Sequence, residues 1–184
     1  MATDPLVPPA PTFACRASAS TPLPTRGLDI VWRAGLDLEP IDIRDPEQTA
    51  WLEALVWPGE GNRLALLHAA IEIAREDPPP LVRGDLRHDL AALAAGAPAD
   101  ATLVIFHTAV LAYVPDPADR AAFARTIGGL DAVWIANEAP GLLEGAERPA
   151  HPWPAGFDPL MLSLDKRPIA WTDPHGTRID WIAA

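Results

Sequence analysis

Three strand-like runs, each followed by a helix-like stretch, narrow the fold class of this chain more than any other feature. The first ends in Gly35-Leu36-Asp37-Leu38-Glu39-Pro40. The second is Leu81-Val82-Arg83-Gly84-Asp85-Leu86, and the third is the apolar run from Thr102 to Val114. Strands that alternate with helices can lie parallel, because the helix supplies the crossover a parallel neighbour needs. The expectation is an α/β protein: a doubly wound, mostly parallel sheet with helices on both faces and an antiparallel hairpin at the C-terminus. Sheets of this kind gather ligands at the carboxyl ends of their strands.

The local signals divide the chain into an irregular segment, residues 1–27, and one α/β domain, residues 28–184. The first segment is rich in Pro, Ala, Ser and Thr and has little to bury. Leu28 to Leu38 reads as a strand ended by Pro40. Asp45-Pro46-Glu47-Gln48 reads as a helix start, with Asp45 as cap, Pro46 in the first position and Gln48 where a capping box wants it. That helix is expected to bury Trp51, Leu52, Leu55 and Val56. A second, from Gly61 to Glu76, carries Leu64, Leu67, His68 and Ile71 on one stripe, which makes His68 a core residue.

Leu81 to Arg83 reads as a short strand, and the helix after it presents Leu86, Leu90 and Leu93. Leu103 to Phe106 has the continuous apolar pattern of a strand covered on both faces. Asp116-Pro117 starts a helix with Phe123, Ile127 and Leu130 along its buried side, ended by Gly128-Gly129. Ala132 to Ala136 is the next buried strand, and residues 140–156 form a Pro- and Gly-rich loop. Leu160 to Leu164 and Pro168 to Thr172 read as strands joined by Asp165-Lys166-Arg167. Asp173-Pro174-His175-Gly176 is a type I turn, and Thr177 to Ile182 closes an antiparallel edge.

Charge and cysteine usage exclude some functions. The net charge of −11 gives no electrostatic grip on nucleic acid or anionic lipid. Cys15 is the single cysteine, so no intrachain disulfide forms. It has no basic partner nearby in sequence and is a poor nucleophile. The start lacks the basic and apolar regions of a secretory signal, and Thr102 to Val114 is too short to cross a bilayer. These features read as a soluble, cytoplasmic protein. No His or Cys spacing suggests a metal site.

Five strand-end residues are candidates for chemistry, each with two readings. Asp37 can accept the hydroxyls of a ribose, or cap a turn. Asp85 can hold a ligand, cap the following helix, or do both. His107 can act as a general base, or be a buried histidine satisfied within the fold. Asn137 and Glu138 end the next strand and can line one pocket with His107, or be a solvated strand end. Trp51, Trp134 and Trp171 lie on segments that should pack. Trp153, in the Pro-rich loop beside His151, is a lid or a docking residue. His88, His151 and His175 read as surface positions.

Six segments together carry a family resemblance. They are Gly35 to Pro40, Trp51 to Pro58, Val82 to Leu86, Phe106 to Tyr113, Trp134 to Glu138 and Asp173 to Gly176. In this order they resemble the bacterial family known as domain of unknown function 2332, from about Phe13 to the C-terminus. The resemblance implies that the chain corresponds to the C-terminal half of a longer architecture. At a coarser level the order is similar to class I methyltransferases that use S-adenosylmethionine, a Rossmann-like topology, here without its first strand and its glycine-rich loop. That similarity implies S-adenosylmethionine as cofactor, held by Asp37 and by Asp85 with Leu86. It also implies His107, Asn137 and Glu138 at the reaction centre. Three readings follow: a truncated methyltransferase-like enzyme that takes a small-molecule ligand, a non-catalytic module that docks a separate N-terminal chain or forms a homodimer, or a decayed gene product with no function.

Overall fold

The computed structural model describes residues 11–59, 61–149, 152 and 158–183. Trp153 and His151 lie outside the described residues. Backbone contacts divide the chain into two compact units, one built on Arg33–Gly84 and one on Ala14–Trp32 together with the chain from Asp85 onward.

In the first unit, β2 (Gly35–Asp37) and β3 (Leu81–Arg83) pair in parallel as a two-stranded sheet. Between them run α1 (Pro46–Ala54) and α2 (Gly61–Glu76). Asp45 caps α1 as its sequence predicts: its Oδ1 accepts the Glu47 amide at 2.9 Å, and Pro46 follows. Gln48 donates to the Asp45 carboxylate at 2.8 Å and accepts the Asp42 amide at 2.8 Å, so it braces the turn before the helix. The Gln48 amide and the Glu47 N–H together hold the Asp45 carboxyl below its ordinary pKa.

Three expectations for this unit need correcting. The strand read from Leu28 to Leu38 forms only over Gly35–Asp37, and Leu38 is exposed. Helix α1 does not bury its apolar residues: Trp51 and Leu55 are exposed, as is Trp57 beyond its end, and only Thr49 is buried. His68 is no core residue either. It stands exposed, with Nε2 3.0 Å from Glu53 Oε1 on α1. Periodicity marks an apolar stripe but cannot say what packs against it.

The second unit holds a six-stranded sheet. Its strands are β1 (Arg16–Ala17), β4 (Leu103–Thr108), β5 (Ala132–Glu138), β6 (Leu160–Leu164), β7 (Arg167–Thr172) and β8 (Arg178–Trp181), in the order β1-β8-β7-β6-β5-β4. Helices α3 (Leu90–Ala94) and α4 (Pro117–Gly128) belong to the same unit. Asp116 caps α4 by accepting the Ala118 amide at 2.8 Å, and Phe123, Ala124 and Ile127 are buried along it. They meet Trp134 and Ala136 of β5, with Leu111 and Leu143, in the main core. Leu86 and Leu90 pack against the same cluster.

The sheet is mixed rather than mostly parallel. β4/β5 and β1/β8 are parallel, whereas β5/β6, β6/β7 and β7/β8 are antiparallel. Connection length explains this. A parallel neighbour needs a crossover of about a dozen residues, which α4 provides between β4 and β5. Asp165 and Lys166 alone join β6 to β7, with φ of 48° and 69°, the two positive values of a type I′ hairpin. Residues 1–27 are not wholly irregular, since Arg16 and Ala17 pair with Arg178 and Ile179 as β1.

Strand β4 also departs from its expected pattern. It lies at the edge of the sheet, and its burial alternates instead of being continuous. Ile105 and His107 turn inward, while Val104 is 45% and Phe106 77% exposed. Leu164 on β6 is 38% exposed and shares that open face with Ile135, its partner across the ladder.

Candidate functional site

Strand β4 and strand β5 run in register, with His107 opposite Ala136 and Thr108 opposite Asn137. Side chains two apart share a face, so His107, Trp134, Ala136 and Glu138 look toward α4, and Thr108 and Asn137 look the other way. The structure therefore brings His107 and Glu138 together and places Asn137 on the opposite face. There the Asn137 amide donates to Thr108 Oγ1 at 3.2 Å, and its carbonyl accepts from the Thr172 hydroxyl at 2.8 Å.

His107 has both ring nitrogens engaged. Nδ1 lies 2.7 Å from Glu138 Oε1, and Nε2 accepts the indole N–H of Trp134 at 3.0 Å. A nitrogen that accepts carries no proton, so the ring is the neutral tautomer with its hydrogen on Nδ1, donated to the carboxylate. Its centroid stands 5.4 Å from Phe123 and 6.0 Å from Trp134. The side chains of His107 and Glu138 are 10% and 2% exposed.

Glu138 does more than hold the imidazole. Its carboxylate also accepts the amides of Val110, at 3.0 Å, and Leu111, at 3.2 Å. These amides follow Ala109, whose φ is +51°, and open a short 3-10 turn over Leu111–Tyr113. Glu138 thus ties the sharp turn after β4 to the end of β5. Sequence reasoning missed Trp134 as the third partner. The signal was present, because Trp134 and Glu138 are four apart on one strand and so share a face.

Asp85 is saturated by Arg87. Guanidinium Nη2 lies 2.5 Å from Oδ2, Nε bonds both oxygens at 2.9 and 3.0 Å, and the Arg87 amide bonds Oδ1 at 2.9 Å. Arg87 reaches on to Asp119 of α4 at 3.0 Å. The Arg87 guanidinium and amide hold the Asp85 carboxyl down at about 2. Asp85 does not cap α3, whose N-cap is Asp89; it caps the turn ahead of it. Leu86 is half-buried and packs against the main core. Asp37, in the other unit, accepts the Glu39 amide at 2.8 Å, an Asx-type turn at an exposed strand end. The Asp173 turn forms as read: its carboxylate accepts the amides of His175 and Thr177 at 2.7 and 3.0 Å and bonds the Thr177 hydroxyl. Burial alone would raise the Asp173 pKa, but these three bonds outweigh it and lower it.

Neither of two shallow clefts reaches the candidate residues. One, about 320 Å³, lies against Pro40, Ile43, Arg44, Pro79 and Leu81; the other, about 380 Å³, lies at the start of β4 and β5. Among the described residues, no group of three or more His, Cys, Asp or Glu is placed to hold a metal, and no helix is long and apolar enough to cross a membrane.

The sequence of this family is recognisable along nearly the whole chain. The chain belongs to DUF2332, described as an uncharacterised protein conserved in bacteria. The family's sequence model matches residues 8–181, so the likeness is not confined to a C-terminal half. The match carries no methyltransferase assignment. No curated protein and no solved structure matches the chain. In this DUF2332 chain the carboxylate oxygens of Asp85 and both ring nitrogens of His107 are hydrogen-bonded within the fold.

Among the described residues, no strand pairs with the outer edge of β4. The Ala109 amide bonds the Asn137 carbonyl at 2.9 Å, which sets the backbone phase of the strand. Odd-numbered residues turn their N–H and C=O toward β5, and Val104, Phe106 and Thr108 turn theirs outward. Edge strands are commonly blunted by Lys, Pro, bulges or charge. Leu103-Val104-Ile105-Phe106-His107-Thr108 has none of these, apart from an inward, neutral His107.

Proposed function

We propose that the chain is a non-catalytic binding and assembly module whose docking element is the open edge of β4 with the apolar face beside it. The observation that carries this reading is the closed hydrogen-bond set of His107. With Nδ1 on Glu138 and Nε2 on Trp134, the imidazole has no lone pair left for a substrate, and the cluster serves to brace the strand. The strand it braces presents unpaired backbone and exposed Val104 and Phe106, the elements of strand addition. The acidic chain and its single, exposed Cys15 suit a soluble partner in a reducing cytoplasm.

A second reading is favoured by the parallel β4–α4–β5 crossover, which is the building unit of Rossmann-like sheets. It makes the chain part of a methyltransferase-like domain that binds S-adenosylmethionine. Isothermal titration calorimetry with S-adenosylmethionine on the wild type and Asp37→Ala separates the two. The module reading expects no heat from either protein. Heat from the wild type that disappears in Asp37→Ala overturns it in favour of the cofactor-binding domain.

A further inference from the structure

We propose that the His107 cluster is a proton-operated latch: a second proton on the imidazole releases the Trp134 indole. The inference goes beyond the module reading and does not depend on what β4 binds. Among the described residues, the partners of the Glu138 carboxylate are all N–H donors: His107 Nδ1 at 2.7 Å and the amides of Val110 and Leu111. A carboxyl group surrounded by donors is the anion. At 2% exposure it is a buried negative charge, held by neutral groups while the ring is neutral. Nδ1 already carries a hydrogen, so a further proton enters at Nε2, the atom that accepts the Trp134 indole. An imidazolium gives Glu138 an ion pair at 2.7 Å and leaves two N–H groups facing each other across 3.0 Å. Relief of a buried charge outweighs one neutral hydrogen bond, so the ring takes the proton in mild acid and the indole gives way.

The elements packed around the cluster set how the indole responds. Phe123 of α4 meets the imidazole and the indole edge-on, at 5.4 and 6.2 Å, and carries no charge. From the β6–β7 hairpin the Lys166 ammonium lies 5.6 Å from the Trp134 ring, and Asp165 accepts the Trp134 amide at 2.9 Å. On α4, Asp119 is bound by Arg87, Arg120 bonds the Val114 and Pro115 carbonyls and Glu144, and Arg125 is exposed. Lys166 resists a second cation beside the indole. Glu138, in direct contact with the ring at 2.7 Å, favours it more strongly. The moving part is the indole. Its backbone amide stays on Asp165, so β5 keeps its place while the ring turns away from Nε2.

Proton–nitrogen NMR of the full chain tests the latch between about pH 8 and pH 5, the range in which histidine ordinarily changes charge. In the wild type the Trp134 indole N–H should lose its hydrogen-bonded shift and its protection from solvent exchange in step with proton uptake by His107. Trp134→Phe removes the opposing donor and should move that uptake up by about half to one pH unit. Glu138→Gln removes the favouring charge and should move it down by about one unit or more. A merely structural role would lower stability in both variants without moving the ring's titration in opposite directions. An indole N–H that stays bonded while His107 takes its proton overturns the latch. So does a wild-type His107 that remains neutral throughout this range, or a titration that either folded variant leaves in place. The wild-type spectra decide the matter even where a variant fails to fold. None of these outcomes bears on the S-adenosylmethionine titration.

Discussion

His107 Nδ1 stands 2.7 Å from Glu138 Oε1, across two neighbouring parallel strands and beneath α4. The same carboxylate takes the amides of Val110 and Leu111. One buried acid therefore satisfies a side chain and the first amides of a turn. Glu138→Gln presents an N–H₂ group where a donor already points. The expected loss is about 2–3 kcal/mol, the cost of leaving buried donors unpaired. Urea unfolding measures it, and an unchanged midpoint would remove the bracing role of Glu138.

The tautomer of His107 is open to direct observation. Nitrogen NMR should show the hydrogen on Nδ1, because Nε2 is occupied as an acceptor by the Trp134 indole at 3.0 Å. Trp134→Phe keeps an aromatic ring near Phe123 but deletes the indole donor and part of the buried volume. It should lower stability by about 1 kcal/mol plus the loss of packing from the smaller ring. An Nε2-protonated ring in the wild type contradicts the arrangement.

Ala109 holds φ at +51°, a region that costs an L residue with a side chain about 1–2 kcal/mol. Glycine adopts it freely but loses more chain entropy on folding. Ala109→Gly should therefore stabilise the protein by up to about 1 kcal/mol. A drop in thermal midpoint would show that the turn is not strained in solution.

Acid titration reads the Asp85–Arg87 pair. The folded pKa of Asp85, about 2, lies below the ordinary 3.8. The native state therefore binds fewer protons at this group than the unfolded chain does. Its contribution is present above the ordinary carboxylate range and is lost as the pH falls through 3.8 toward 2. Asp85→Asn should be less stable than the wild type at neutral pH, and the difference should vanish near pH 2. A difference that is constant over this range would mean the charge is not what Arg87 recognises.

Short-range features were legible before any coordinates. Asp116-Pro117 starts α4, Asp45-Pro46 starts α1, and Asp173 to Gly176 turns the chain, each through bonds between residues two to four apart. Long-range features were not. The apolar positions of α1 look like a buried face, yet Trp51 and Leu55 are exposed. Leu103 to Phe106 looks like a strand covered twice, yet Phe106 faces outward from an edge. His107 and Glu138 could be named as strand ends, but their distance, and the indole that fills the remaining nitrogen, depend on the β4–β5 register.

The amino-acid order settled where α1 and α4 begin and where the chain turns at Asp165-Lys166 and at Asp173, because caps, proline and hairpin turns act over a few bonds of chain. Folding in space settled which strand became an edge, which face stayed bare, and whether His107 is free or spent. Those outcomes depend on groups 27 to 31 residues apart, at the indole and carboxylate of β5, whose meeting no local pattern encodes.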